Sequence, residues 1–139
     1  GTKSTPPFHL AVLGGWLERH TERGSIPFPA DGPEFVAVGA VERELHRAAY
    51  SSCGPNGPRP KPDFVAEVPV WTAARPAPFS GTSAAAPQAA GLAALVLGRH
   101  PDWPPAKVRA ALRRAAVDLD PPGHDPETGY GLLRLPPVE

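Results

Sequence analysis

At 139 residues the chain has the length of one domain, enough to bury a core but short for α/β folds that exceed about 200 residues in one unit. Its 14 Lys and Arg balance its 14 Asp and Glu, so no charge excess points to nucleic acid or an anionic membrane. No apolar run is long enough to span a bilayer, no signal peptide is read at the start, and a single cysteine, Cys53, excludes an internal disulfide. The compartment stays undetermined on these grounds. The 21 Pro and 14 Gly are high enough to raise disorder, but they stand as punctuation between apolar segments.

In chain order, Phe8 to Leu13 (FHLAVL) is a short apolar run expected to form a buried strand, ended by Gly14 and Gly15. Trp16 to Ser25 reads as a polar connection. Phe35 to Val41 (FVAVGAV) predicts a second buried strand, and Arg47 to Tyr50 a weaker edge segment. Gly54 to Pro62 (GPNGPRPKP) is too rich in Pro and Gly for a regular element. Phe64 to Ala66 and Val68 to Trp71 read as short extended pieces.

A helix follows from Ser83, with Ala, Leu, Val and Gly around nearly its whole circumference to Arg99, which predicts burial on all sides. A second helix is expected to start at Pro104 or Pro105, since proline suits the first helical turn. Its apolar positions Val108, Ala111, Leu112, Ala115, Ala116 and Leu119 keep helical spacing, while Lys107, Arg109, Arg113 and Arg114 hold the other face for solvent. Gly129 to Leu135 is expected to be a short final strand or extended tail.

The chemistry concentrates in Phe79 to Gly91, FSGTSAAAPQAAG. Ser83 would sit at a helix N-terminus, where unpaired N–H groups and the dipole favour developing negative charge. A nucleophile there can use its own N–H as an oxyanion donor. Gly81 lets the backbone approach closely, and Ala84, Ala85 and Ala86 leave room for a peptide. Pro87 is expected in or just after the first turn, where a missing N–H costs little. The alternative is that Thr82 or Ser83 merely caps a buried helix, which accounts for a Ser or Thr but not for Pro87 and Gly91 at their spacing.

These residues resemble the nucleophile motif of the subtilisin-like serine peptidases: Gly81, Thr82, Ser83, Ala85, Pro87, Ala90 and Gly91 fill all its fixed places. The likeness extends along the chain. Pro27-Phe28-Pro29-Ala30 with Phe35 to Ala40, Tyr50-Ser51-Ser52 with Gly54-Pro55, Lys61-Pro62-Asp63, Pro104 to Ala116 and Gly129-Tyr130-Gly131 are similar to family segments in the family's order. The resemblance implies an α/β fold: the C-terminal half of a subtilisin-like domain over residues 1–139. It carries a largely parallel sheet, a buried helix after Ser83 and a C-terminal amphipathic helix. It also implies a cis bond at Phe28–Pro29.

The departures bear on activity. The family supplies its triad in the order Asp, His, Ser, and neither the Asp nor the His motif occurs here. The five histidines, His9, His20, His46, His100 and His124, read as surface or loop residues, and no ligand spacing supports a metal site at His124-Asp125 or elsewhere. No cofactor is implied. An ungapped count back from Pro27 places Leu13-Gly14-Gly15-Trp16 where the family's oxyanion asparagine ends a strand. Gly14, Gly15 and Trp16 therefore join Thr82 and Ser83 as candidate oxyanion and substrate-binding residues, with Trp16 too large to replace asparagine. Asn56, the sole asparagine, reads as a turn residue.

Two functions stay open. One is half of a serine endopeptidase, with Ser83 as nucleophile, Asp and His from another segment or chain, and a peptide or protein as substrate. The other is a non-catalytic module that binds a peptide or partner protein. In either case the isolated chain is expected to show no meaningful proteolysis.

Overall fold

The structure, a computed structural model, describes residues 8, 10, 12, 15–55, 60–119 and 121–137. Two strands and two helices follow in the order β1 (Val38–Val41), β2 (Phe64–Glu67), α1 (Thr82–Arg99) and α2 (Pro105–Ala115). β1 and β2 pair in parallel, with Val38 opposite Phe64 and Val41 opposite Glu67. A third extended piece joins β2 at Leu132, parallel at Val65, and Leu132 pairs antiparallel with Val117. The fold is thus α/β with a parallel sheet, and the Gly129–Leu135 segment is the extended tail expected.

Alternation along the strands sorts the core onto two faces. Phe64, Ala66 and Val68 point toward α1 and α2, where they meet Ala84, Ala85, Ala89, Val96, Val108, Ala111 and Leu112. Val41, Val65 and Leu132 form a smaller cluster on the opposite face, with Leu119 against it. Phe64 is fully buried between the layers. Its loss would cost about 3–5 kcal/mol, as for other buried aromatics.

The entrance to both strands is held by one buried ion pair. Lys61 Nζ lies 2.6 Å from Asp63 Oδ2 and also donates to the Phe35 carbonyl at 2.7 Å. Asp63 Oδ2 accepts the Ala37 N–H at 2.8 Å. This explains why β1 starts later than the apolar run predicts. The Phe35 carbonyl is turned to an ammonium, not to a neighbouring strand, and Phe35 and Val36 are exposed.

The outer edge of β1 is only partly covered. Ala40 donates to Ser51 Oγ and accepts from the Ala48 N–H, so residues 47–51 form the expected edge segment. Val38 faces the same way as Ala40, and no described residue outside the ladder bonds its backbone. The expected strand at Phe8 to Leu13 is not seen in its described residues: Phe8, Leu10 and Val12 are exposed and carry no strand pairing, while residues 9, 11 and 13 lie outside the described residues.

α2 begins with Pro105 in its first turn and Pro104 as N-cap, as the sequence predicts. Its basic face does more than meet solvent. Arg109 donates to the Pro33 and Glu34 carbonyls, Lys107 lies over Trp103, and Arg113 lies 3.8 Å from the centre of the Tyr130 ring. The closing Gly129-Tyr130-Gly131 threads tightly: a Cβ at Gly131 would overlap the Val117 carbonyl, and its φ of 101° admits little but glycine. The Phe28–Pro29 bond is cis, as the resemblance implies.

α1 departs from the prediction. It is not buried all round: Ala84, Ala85, Ala89 and Val96 face the core, whereas Ala86, Ala90, Ala94, Leu95 and Leu97 are exposed. The described residues supply a layer on one side of this helix only.

Candidate active site

The chain reaches the head of α1 through a short ribbon. Val70 and Phe79 exchange both backbone hydrogen bonds at 2.8 Å, and Ser80 and Gly81 follow directly. Gly81 is the N-cap, with φ 86° and ψ 170°, a conformation essentially confined to glycine. A Cβ there would meet nothing closer than 3.8 Å, so the need for glycine is conformational and not steric.

The Gly81 carbonyl accepts from both the Ala84 and Ala85 N–H groups. Thr82 and Ser83 are the first two residues of the helix. Among the described residues their own N–H groups have no acceptor, and neither side chain caps the helix. The capping explanation for these two residues therefore has no support in the geometry. Ser83 is exposed, and its hydroxyl makes no hydrogen bond with any described residue. A hydroxyl and its own free amide thus stand together in solvent, at the positive end of an 18-residue helix.

Pro87 is the sixth residue of α1 and falls just after the first turn, as its sequence context predicts. Its missing N–H would have met the carbonyl four residues back, which is that of Ser83. The serine is thus released from the helical ladder at its carbonyl as well as at its amide. Gln88 secures the next residue: its Nε2 donates to the Ala84 carbonyl and to the Glu67 carbonyl at the end of β2, each at 3.0 Å. Nothing in the sequence around Gln88 signals this bridge.

Beside the helix head lies a cavity of about 170 Å³, bounded by Thr82, Val38, Gly39, Tyr50, Ser51 and Ser52 among others. Tyr50 Oη stands 3.5 Å from Ser80 Oγ. None of the described histidines bonds Ser83. His20 lies 3.6 Å from Glu22, His46 is exposed, His100 stacks on Trp103, and His124 Nε2 sits 2.9 Å from the Pro62 carbonyl. Trp16 is 93% exposed, and Gly15 is exposed; Gly14 and His9 lie outside the described residues, as does Asn56. No hydrogen bond joins Trp16 or Gly15 to Thr82 or Ser83 among the described residues.

Cys53 is fully buried, and burial pushes its thiol above the usual range, against the pull of Arg47. It is no reactive thiolate. No group of three or more His, Cys, Asp or Glu that could hold a metal occurs among the described residues, and no helix there is long and apolar enough to cross a membrane.

A profile of the Subtilase family matches residues 19–131. The chain belongs to the subtilase family. It is 35% identical over 113 residues to subtilisin E of Bacillus subtilis (strain 168), covering 80% of this chain and 28% of that protein. It is 38% identical over 117 residues to the subtilisin-like protease PopC of Myxococcus xanthus (strain DK1622), covering 78% of this chain and 24% of that one. Among solved structures it is similar to a lanthipeptide protease, with TM-score 0.62, 30% identity, and coverage of 78% of this chain and 41% of the other. The prenylagaramide maturation protease PagA gives TM-score 0.64 at 28% identity, over 82% of this chain and 44% of that one. The chain therefore spans less than half the length of these relatives.

Proposed function

We propose that residues 1–139 form the C-terminal half of the catalytic domain of a subtilisin-like serine endopeptidase. They supply the nucleophile Ser83, while the Asp and His come from another segment or chain. The observation that carries this reading is the exposed Ser83 hydroxyl beside its own N–H, which has no acceptor among the described residues, at the head of α1. In the assembled site Ser83 Oγ attacks the scissile carbonyl of a peptide or protein substrate. The partner's imidazole takes its proton, and the Ser83 N–H binds the oxyanion. Thr82 lines the approach, and the ungapped register from Pro27 assigns Gly14, Gly15 and Trp16 to the family's second oxyanion donor. No cofactor or metal enters this chemistry.

The test is labelling by a fluorophosphonate. The assembly with an Asp- and His-bearing partner labels, the isolated chain does not, and Ser83→Ala in the assembly abolishes labelling. A complete assembly that neither labels nor cleaves peptides would end the peptidase reading.

A second reading, a non-catalytic module that binds a peptide or partner, is favoured by the ungapped register that sets Trp16 where the family has an asparagine. Loss of one such donor costs about 10²–10³ in turnover in a subtilisin. Under this reading the assembly binds peptide without acylation of Ser83, and Ser83→Ala leaves that binding unchanged.

A further inference from the structure

At the far end of α1 from Ser83 lies a cavity of about 490 Å³ between the C-terminus of α1, α2 and the closing segment. That volume is within the range of small-molecule pockets. Five of its lining residues are apolar aliphatics or prolines: Val96 and Ala111 are buried there, Ala115 is half-buried, and Pro136 and Pro137 close one side. His100 and Trp103 form the wall, their rings stacked 3.8 Å apart and 5° from parallel. Lys107 lies 4.3 Å from the Trp103 ring centre, so the aromatic pair is held between α1 and α2.

The rim carries Arg99 and Arg114, and neither guanidinium bonds or pairs with any described residue. No described Asp or Glu lines the cavity. In a chain whose formal charges cancel, two arginines with no partner among the described residues are a local imbalance. Arginine's planar fork matches a carboxylate or sulfonate bidentately, and its weak hydration suits the edge of an apolar site.

We propose that this cavity binds an organic anion: a carboxylate or sulfonate on a flat apolar body, with the charge at Arg99 and Arg114 and the body against Val96, Ala111 and the two prolines. The site lies at the opposite end of α1 from Ser83.

Calorimetric titration of the chain with 2-naphthoate tests this. The expected result is saturable one-to-one binding that weakens several-fold on raising the salt, since exposed charges are screened. Arg99→Ala with Arg114→Ala weakens it about tenfold, the worth of two exposed charge pairs. The uncharged analogue 2-naphthamide binds correspondingly less well. Leu95→Gln, an uncharged change on the exposed face of α1, leaves the affinity unchanged. Equal binding of acid and amide, an unaltered affinity in the double arginine variant, loss of binding in Leu95→Gln, or no saturation at millimolar probe each overturns the proposal.

Discussion

At the residue scale, Gly81 fixes where α1 starts, and the Lys61–Asp63 pair fixes how both strands begin. Gly81 holds a backbone conformation that costs other residues about 1–3 kcal/mol. Gly81→Ala should therefore destabilise the chain by that amount. Gly98→Ala, at an ordinary helical position with open space around the added methyl, should be neutral or stabilising by up to about 1 kcal/mol. Paired urea denaturation curves compare them, and equal effects would show that the Gly81 conformation does not matter. Lys61 and Asp63 make a contrasting case. Lysine is among the least buried residue types, so nothing in Lys61-Pro62-Asp63 as sequence pointed to an ammonium 3% exposed. Lys61→Met should cost about 3–5 kcal/mol because it strands the Asp63 carboxylate, whereas an exposed pair would cost at most about 1 kcal/mol. A loss in the lower range, measured by denaturation, would place this pair among surface bridges.

At the scale of elements, legibility followed how far each segment's environment is set by its own residues. α2 was readable because its opening proline and its stripe of Val108, Ala111 and Leu112 are local signals. The helix ends at Ala115, however, and Leu119, expected on the same stripe, packs on the opposite face of the sheet. The strand near Val38 was readable in kind but not in extent, because the outward turn at Phe35 depends on Lys61, 26 residues away. The start of α1 behind Gly81 was legible through its small residues and glycine. Its all-round burial was not, since an apolar composition cannot say which neighbours a chain lacks. Nor did composition reveal that Gln88 joins α1 to β2. Gln88→Leu removes both of its bonds and leaves the Glu67 carbonyl without this partner. It should cost about 1–3 kcal/mol and speed amide exchange in the opening turns of α1. Exchange unchanged relative to the Arg99 end would assign Gln88 no role in holding the helix head.

At the scale of the whole molecule, the chain exposes 9680 Å², whereas a compact monomer of 14.6 kDa is expected to expose roughly 6900 Å². Leu95 and Leu97 on α1 are 52% and 44% exposed, in a helix whose outer face is apolar. Parallel sheets are ordinarily covered on both faces. The isolated chain should bind a hydrophobic dye and self-associate, and both should fall when a covering partner is added. A dilute, monomeric sample with a sharp two-state thermal transition and no dye binding would show that nothing is missing.

The uncovered backbone of Val38 gives this incompleteness a kinetic side. Its N–H and C=O are a template that accepts any extended segment, with little regard to sequence. Such an edge arbitrates between assembly routes by arrival time. A strand tethered to the same chain competes at an effective concentration in the millimolar range. A free strand from another copy, at the micromolar levels of a dilute sample, arrives later and wins only when the first is absent. The same two groups that complete a sheet in one circumstance would seed a polymer in the other.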